Sequence, residues 1–230
     1  MAGAPPSSEG RLAALRQIPL CAGLREAALA ALARASALKR VAQGEHIFLQ
    51  GDPADTIFFV CSGAVGIVLS SADGQELVIN EMRPGDCLGE LGVLTRQPRS
   101  ASAVARSDGQ LVAIPSAVFW EVLSAEPELA RRMLVLTAQR LQASSEREAI
   151  LAFMDAEARV ARLLLYLERL NAPKGYITIS QADLGRWVGL TRQTVAAIQG
   201  RWRRRGWLLT GRGRIVLLDY ARLGQVSQQF

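Results

Sequence analysis

Cysteine and histidine are scarce in this 230-residue sequence, and the few present are poorly placed for metal chemistry. Cys21, Cys61 and Cys87 are odd in number and widely spaced, with no Cys-x-x-Cys pair. A disulfide framework or a zinc site needs paired or closely spaced ligands, so buried thiols in a reducing compartment are expected instead. The single histidine, His46, lies in the apolar run His46–Gln50 and reads as a strand residue, not a metal or haem ligand. Long hydrophobic runs are missing too: no stretch approaches the ~18 apolar residues of a membrane helix. Met1–Gly10 lacks the charged and apolar regions of a secretion signal and reads as a flexible tail. A cytoplasmic protein with no membrane partner is expected. No nucleophile–base pair stands out, so no enzyme is expected.

Excess positive charge is also missing from the first two thirds. Residues 1–150 carry 14 Lys/Arg against 16 Asp/Glu, whereas residues 151–230 carry 13 against 5. The net charge of +6 therefore has its whole source in the last third, the footprint of a polyanionic partner.

What is present is ordered in three parts. Leu12–Leu20 and Arg25–Leu38 have helical composition. Short apolar runs follow at His46–Gln50, Thr56–Cys61, Val65–Leu69, Leu77–Met82, Ser102–Arg106 and Leu111–Ile114, separated by turn signals such as Asp73-Gly74 and Pro84-Gly85-Asp86. Short strands at close spacing predict a compact antiparallel β barrel or roll. From Glu128 to Phe153 there is neither Gly nor Pro, which predicts one helix of roughly 39 Å. Leu134, Ala138, Leu141 and Ser145 follow a 4-3-4 spacing suited to pairing with a second copy; the alternative is a single helix lying along the β domain. Asp155 reads as a cap and hinge, Ala156–Leu170 as a further amphipathic helix, and Asn171–Gly175 as its end. The expected domains are residues 1–126, 127–154 and 155–230.

The basic third carries a helix-turn-helix pattern. Ser180–Trp187 and Thr191–Arg205 read as two helices about a turn at Val188–Leu190. Ser180 and Thr191 are N-caps, and Asp183 completes a capping box. Leu184, Val188, Leu190, Val195 and Ile198 supply the apolar face between them. Such a pair presents its second helix to the major groove of double-stranded DNA. Arg192, Gln193 and Thr194 stand at its leading end, where Arg can pair with guanine and Gln with adenine. Thr191, Thr194 and the helix N-terminus are candidates for phosphate, and Gln181 is a further candidate DNA contact. Arg201 and Arg203–Arg205 form a basic end. Arg212 and Arg214 sit on a hairpin, Trp207–Thr210 and Arg214–Leu218, that reads as a two-stranded wing.

In the β region the segment Gly85-Asp86-Cys87-Leu88-Gly89-Glu90-Leu91-Gly92, followed by Pro98-Arg99-Ser100-Ala101, stands apart. Glycines let backbone N–H groups approach a phosphate. Arg99 offers a planar fork for it, and Glu90 can accept a sugar hydroxyl. The same two residues also suit a plain Glu90–Arg99 ion pair under a turn.

Leu88-Gly89-Glu90-Leu91-Gly92 and Arg99-Ser100-Ala101 resemble the phosphate-binding cassette of cyclic-nucleotide-binding domains. Arg140–Glu146 with Leu151–Asp155, and Ile177–Val195, are similar to the long helix, hinge and helix-turn-helix of the cyclic AMP receptor (catabolite activator) family of bacterial transcription regulators. The resemblance covers nearly the whole chain. It implies an α+β fold: an N-terminal cyclic-nucleotide-binding β-roll (jelly roll), a long dimerisation helix and a C-terminal winged helix-turn-helix. It further implies that Glu90 takes the ribose 2′-hydroxyl, that Arg99 and Ser100 hold the cyclic phosphate, and that Gly89 and Leu91 line the pocket. Ser144 and Ser145 would meet the base from the dimer helices, one in its own subunit and one across. Ile67, Ile79 and Met82 are candidate walls. The hinge would lie at Phe153 and Asp155. The effector would be cyclic AMP, with cyclic GMP as the alternative and no further cofactor. The partners would be palindromic promoter DNA, a second copy of the chain and RNA polymerase, with activation as the output. Where the family reads Arg-Glu-Thr-Val-x-Arg, this chain reads Arg192-Gln193-Thr194-Val195-Ala196-Ala197, which leaves its DNA sequence preference open. Two other readings remain: a regulator of the same fold sensing redox state or a gas, and a cyclic-nucleotide module acting on a protein partner.

Overall fold

The computed structural model describes residues 8–71, 74–170, 174–211 and 213–228. The elements in chain order are α1 (Ser8–Arg16), α2 (Glu26–Ala35), β1 (Ala37–Val41), β2 (His46–Phe48), β3 (Thr56–Ser62), β4 (Val65–Ser70), β5 (Glu76–Met82), β6 (Cys87–Leu88), α3 (Glu90–Thr95), β7 (Ser102–Ala105), β8 (Gly109–Pro115), α4 (Ser116–Ala125), α5 (Pro127–Phe153), α6 (Ala156–Leu170), β9 (Ile177–Thr178), α7 (Gln181–Val188), α8 (Arg192–Arg204), β10 (Leu208–Gly211), β11 (Arg214–Leu217) and α9 (Tyr220–Ser227). They divide into two compact units, one of residues 1–70 and 79–140, the other of residues 71–78 and 141–230. The long helix α5 contributes to both.

The first unit is the β roll. One four-stranded sheet runs β1-β8-β3-β6 and the other β2-β7-β4-β5, with the β1–β8, β3–β8, β3–β6, β2–β7 and β4–β7 pairs antiparallel. Central strand β3 is buried on both faces. Ile57 and Phe59 join Leu15, Leu29, Phe119 and Leu129 from the helices and Ile18 from the loop after α1, while Phe58 and Val60 join Val65, Leu88 and Leu111 inside the roll. This is why Thr56–Cys61 reads as a continuous apolar run and not an alternating one. Edge strand β1 carries the exposed and half-buried Lys39–Arg40 pair, and β6 is two residues long; neither has a strand pattern in the sequence.

Several expected boundaries move. Gly10 belongs to α1 and not to a tail; residues 1–7 lie outside the described set. Leu12–Leu20 is not one helix, because α1 stops at Arg16 and Pro19 opens a separate 3₁₀ turn, Pro19–Cys21. Arg25–Leu38 stops being helical at Ser36, whose N–H bonds to Leu32 O, and Ala37–Leu38 start β1. Asp73 of the expected hairpin turn and residues 171–173 of the expected helix end lie outside the described residues. His46 is a strand residue, as read.

The second unit packs α6, α7, α8 and α9 about a core of Val160, Leu164, Leu184, Val195, Ile198, Trp202 and Leu223. Its wing is three-stranded, in the order β10-β11-β9, and not two-stranded. β9, a two-residue strand, was too short to leave a periodic signal. Asp155 Oδ1 accepts from the Ala158 N–H at 2.8 Å and so caps α6. No described helix is long and apolar enough to cross a membrane.

Candidate functional site

In the first unit, β6 delivers the chain to Gly89, whose φ of +78° turns it into α3. Glycine is required there twice over. The left-handed backbone suits no L side chain well, and an added Cβ would stand 2.4 Å from Arg99 Nη1. Arg99 is buried, 4% exposed. Its Nη1 donates to Gly89 O at 2.8 Å and its Nη2 to Thr56 O at 2.6 Å. Its guanidinium lies 4.3 Å from the Phe48 ring centroid. The Nε–H has no partner. Burial lowers the Arg99 pKa from its ordinary value, opposed by Asp55, Asp52 and Glu90; an arginine so placed remains a cation.

Glu90, also buried at 3% exposed, does not depend on Arg99 for its charge partner. Arg140 of α5 donates from Nη1 to Glu90 Oε1 and from Nη2 to Cys87 O at 2.5 Å. This replaces the alternative reading of a Glu90–Arg99 ion pair. Burial alone would lower the Arg140 pKa; Glu90 and the polar groups of Cys87 and Asp86 more than offset that and leave it raised. Arg140 was not foreseen as part of the site. Its one signal was its place on the long helix, five residues before Ser145, and no local pattern ties it to an acid 50 positions away.

Gly89, Glu90, Leu91, Arg99 and Ser100 are thus gathered on one turn–helix–turn segment, with Leu91 and Ser100 exposed. Ile67 and Ile79 are half-buried on β4 and β5, and Met82 is buried, its sulfur 3.6 Å from Arg140 Nη2. Ser144 and Ser145 stand exposed on the part of α5 that belongs to the second unit, and Ser144 Oγ donates to Glu148 at 3.3 Å. Leu134 and Leu141 of the 4-3-4 series are 71% and 69% exposed in the single chain. The three cysteines are free thiols. Burial pushes Cys21 and Cys87 up to about 12 and raises Cys61 as well.

In the second unit the expected caps form. Ser180 Oγ accepts from Asp183 N at 3.0 Å, and Thr191 Oγ1 accepts from Thr194 N at 3.1 Å. The turn between the helices closes tightly on Gly185, where an added Cβ would stand 2.4 Å from Leu190 O. Arg192 and Gln193 are exposed at the head of α8. Gln181, Thr191, Arg192, Gln193 and Ala196 line one open concavity of about 530 Å³. Arg214 is exposed at the wing and lies over the Tyr176 ring at 4.6 Å; Arg212 is outside the described residues. Arg201 departs from expectation. It pairs with Glu157 Oε1 while Trp202 Nε1 donates to Oε2 of the same carboxylate at 3.1 Å, so it is tied to α6 instead of standing open beside Arg203 and Arg204. Phe153, at the end of α5, is 72% exposed, with buried Met154 and capping Asp155 next in line.

Residues 38–126 match the cyclic nucleotide-binding domain family, and residues 158–226 match the Crp-like helix-turn-helix domain family. The roll with its buried Arg–Glu cassette and the winged helix with its exposed Arg–Gln head therefore define a DNA-binding transcription regulator with a cyclic-nucleotide-binding domain. The chain belongs to the CRP/FNR family of transcription regulators. It is 32% identical over 155 residues to the cAMP-activated global transcriptional regulator CRP of Escherichia coli O6:H1, covering 65% of this chain and 74% of that one. It is 28% identical over 209 residues to the CRP-like cAMP-activated global transcriptional regulator of Mycobacterium tuberculosis, covering 88% and 93%. Among solved structures, the c-di-GMP responsive global regulator CLP of Xanthomonas campestris matches with a TM-score of 0.76 at 25% identity, over 85% of this chain and 100% of that one.

Proposed function

We propose that the chain is a cytoplasmic homodimer that binds cyclic AMP in each β roll and then occupies palindromic promoter sites, recruiting RNA polymerase as an activator. The observation that carries the effector reading is Arg99: a buried cation whose Nε–H is unpaired, beside a buried carboxylate. A phosphate with an adjacent sugar hydroxyl satisfies both groups. In this reading Arg99 and Ser100 hold the cyclic phosphate, Glu90 the ribose 2′-hydroxyl, and Gly89, Leu91 and Ile79 the walls. Ser144 and Ser145 meet the base. The exposed Leu134 and Leu141 support the self-pairing of α5. Two relatives, both cAMP-activated transcriptional regulators, support cyclic AMP as effector. Gln181, Thr191, Arg192, Gln193, Thr194, Arg212 and Arg214 face DNA, with Arg201 the weakest of the set because Glu157 already occupies it. Residues 1–126, 127–154 and 155–230 act as sensor, dimer helix and DNA-binding parts, with Phe153 and Asp155 as the hinge. Ligand shifts the population toward the DNA-competent state by its differential affinity for it.

Calorimetric titration with cyclic AMP, cyclic GMP and c-di-GMP tests this; the last is included because one similar structure responds to it. Cyclic AMP binds, and Arg99→Ala loses most of the affinity. Equal binding by the variant, or binding of c-di-GMP alone, refutes the assignment.

A further inference from the structure

The buried stripe of α8 is Val195, Ile198, Gln199 and Trp202, the i, i+3, i+4, i+7 spacing of a core-facing helix. Three of the four are apolar. Gln199 is 3% exposed, and its Nε2 has no partner. A buried, unpaired donor destabilises the fold, and an apolar residue of the same size would relieve it. Gln199 makes one contact that such a residue would not: its Oε1 accepts from Gln181 Nε2 at 3.0 Å.

Gln181 is the first residue of α7, immediately after the Ser180 cap. Its side chain is half-buried and lines the concavity shared with Thr191, Arg192 and Gln193. A primary amide has two N–H groups. One is spent on Gln199, which restrains the amide, and the other remains for a group entering the concavity that Gln181 lines. First-turn backbone N–H groups of α7 stand beside it, lacking intrahelical acceptors.

We propose that Gln199 is a positioning residue for DNA binding. It holds the Gln181 amide in the one orientation that delivers its second N–H to a backbone phosphate, and it couples the start of α7 to the recognition helix. This rests on the reading of Gln181 as a DNA contact. A freely rotating Gln181 would have to be ordered on binding, and the preset amide avoids that loss. Gln181 is neutral, so the contact adds affinity without releasing a counterion.

The test uses the full chain and a 30-base-pair mixed-sequence duplex at low salt, read by fluorescence anisotropy across a salt series. Gln199→Met keeps shape and removes the acceptor; Gln199→Leu is the second variant should the first fail to fold. Circular dichroism and the thermal midpoint check the fold. The expected midpoint is at or above that of wild type. The expected affinity is about 3- to 10-fold lower, the cost of ordering one freed side chain on binding, with the slope of log K against log salt unchanged. Gln181→Ala loses at least as much, and the double variant loses no more than Gln181→Ala alone. If Gln181→Ala weakens binding while both Gln199 variants bind as wild type, the positioning role is wrong and the Gln181 contact stands. If Gln181→Ala binds as wild type, both are wrong. Additive losses in the double variant, or a changed salt slope, also overturn the proposal.

Discussion

The ion pair between Arg140 and Glu90 sets the stability of the β roll at its candidate site. Arg140→Ala leaves a carboxylate that is 3% exposed without its cation. Removing one member of a buried pair costs about 3–5 kcal/mol. Arg140 itself is 20% exposed, so water reaches part of the vacated space and the cost falls to about 2–3 kcal/mol. Hydrogen exchange of the β3 and β6 amides, which pair at Phe58–Leu88 and Phe59–Cys87, reads the first unit alone. A loss of that size speeds exchange about 30- to 160-fold where exchange passes through opening of the whole unit. Adding Glu90→Gln removes the stranded charge and restores most of the protection. Unchanged exchange in Arg140→Ala refutes the reasoning. So does a double variant as labile as the single one, since the cost would then come from lost packing of the Arg140 stem and not from the charge.

Gly89→Ala, at a φ of +78° with Arg99 Nη1 2.4 Å from the new Cβ, lowers cyclic AMP affinity by at least about tenfold in calorimetry, the cost of a displaced charge-assisted bond. Thr191→Ala removes the α8 cap and lowers the thermal midpoint of the second unit by about 4–8 °C, whereas Thr191→Ser leaves it near wild type. With Cys21 and Cys87 raised to about 12, both stay as thiols well above neutral pH. Iodoacetamide at pH 8 therefore modifies Cys61 first by mass spectrometry, and fast labelling of Cys87 in the folded chain contradicts the buried site.

The parts legible in the sequence are those governed by neighbours a few residues apart. Ser180 and Thr191 could be read as caps because capping spans three residues, and Asp155 likewise. The long helix was legible from an absence of Gly and Pro, and the roll from turns between short apolar runs. What stayed hidden depends on distant partners. Glu90 finds Arg140 fifty residues on, and Arg201 finds Glu157 forty-four residues back. A basic residue near a helix end looks the same in sequence whether it faces solvent or a carboxylate of another helix. Strands β1, β6 and β9 escaped because their identity comes from β8, β3 and β11 beside them, with too few residues of their own to carry a period. Helix α9, capped by Asp219, had a cap signal that passed unread.

Glu90, Arg99 and Arg140 have a further consequence as a set of charges. Two guanidiniums and one carboxylate are linked through Gly89 and Cys87, and the Asp52, Asp55 and Asp86 carboxylates act on them from nearby. On the proposed reading, a cyclic phosphodiester brings one negative charge to these guanidiniums. An opened phosphomonoester brings about −1.5 to −2 at neutral pH and meets more repulsion from the surrounding carboxylates. On that reading the cluster favours a closed phosphate ring over its opened remnant. Ring hydrolysis would then end a signal twice, by destroying the ligand and by making its remnant a poorer fit to the site it leaves.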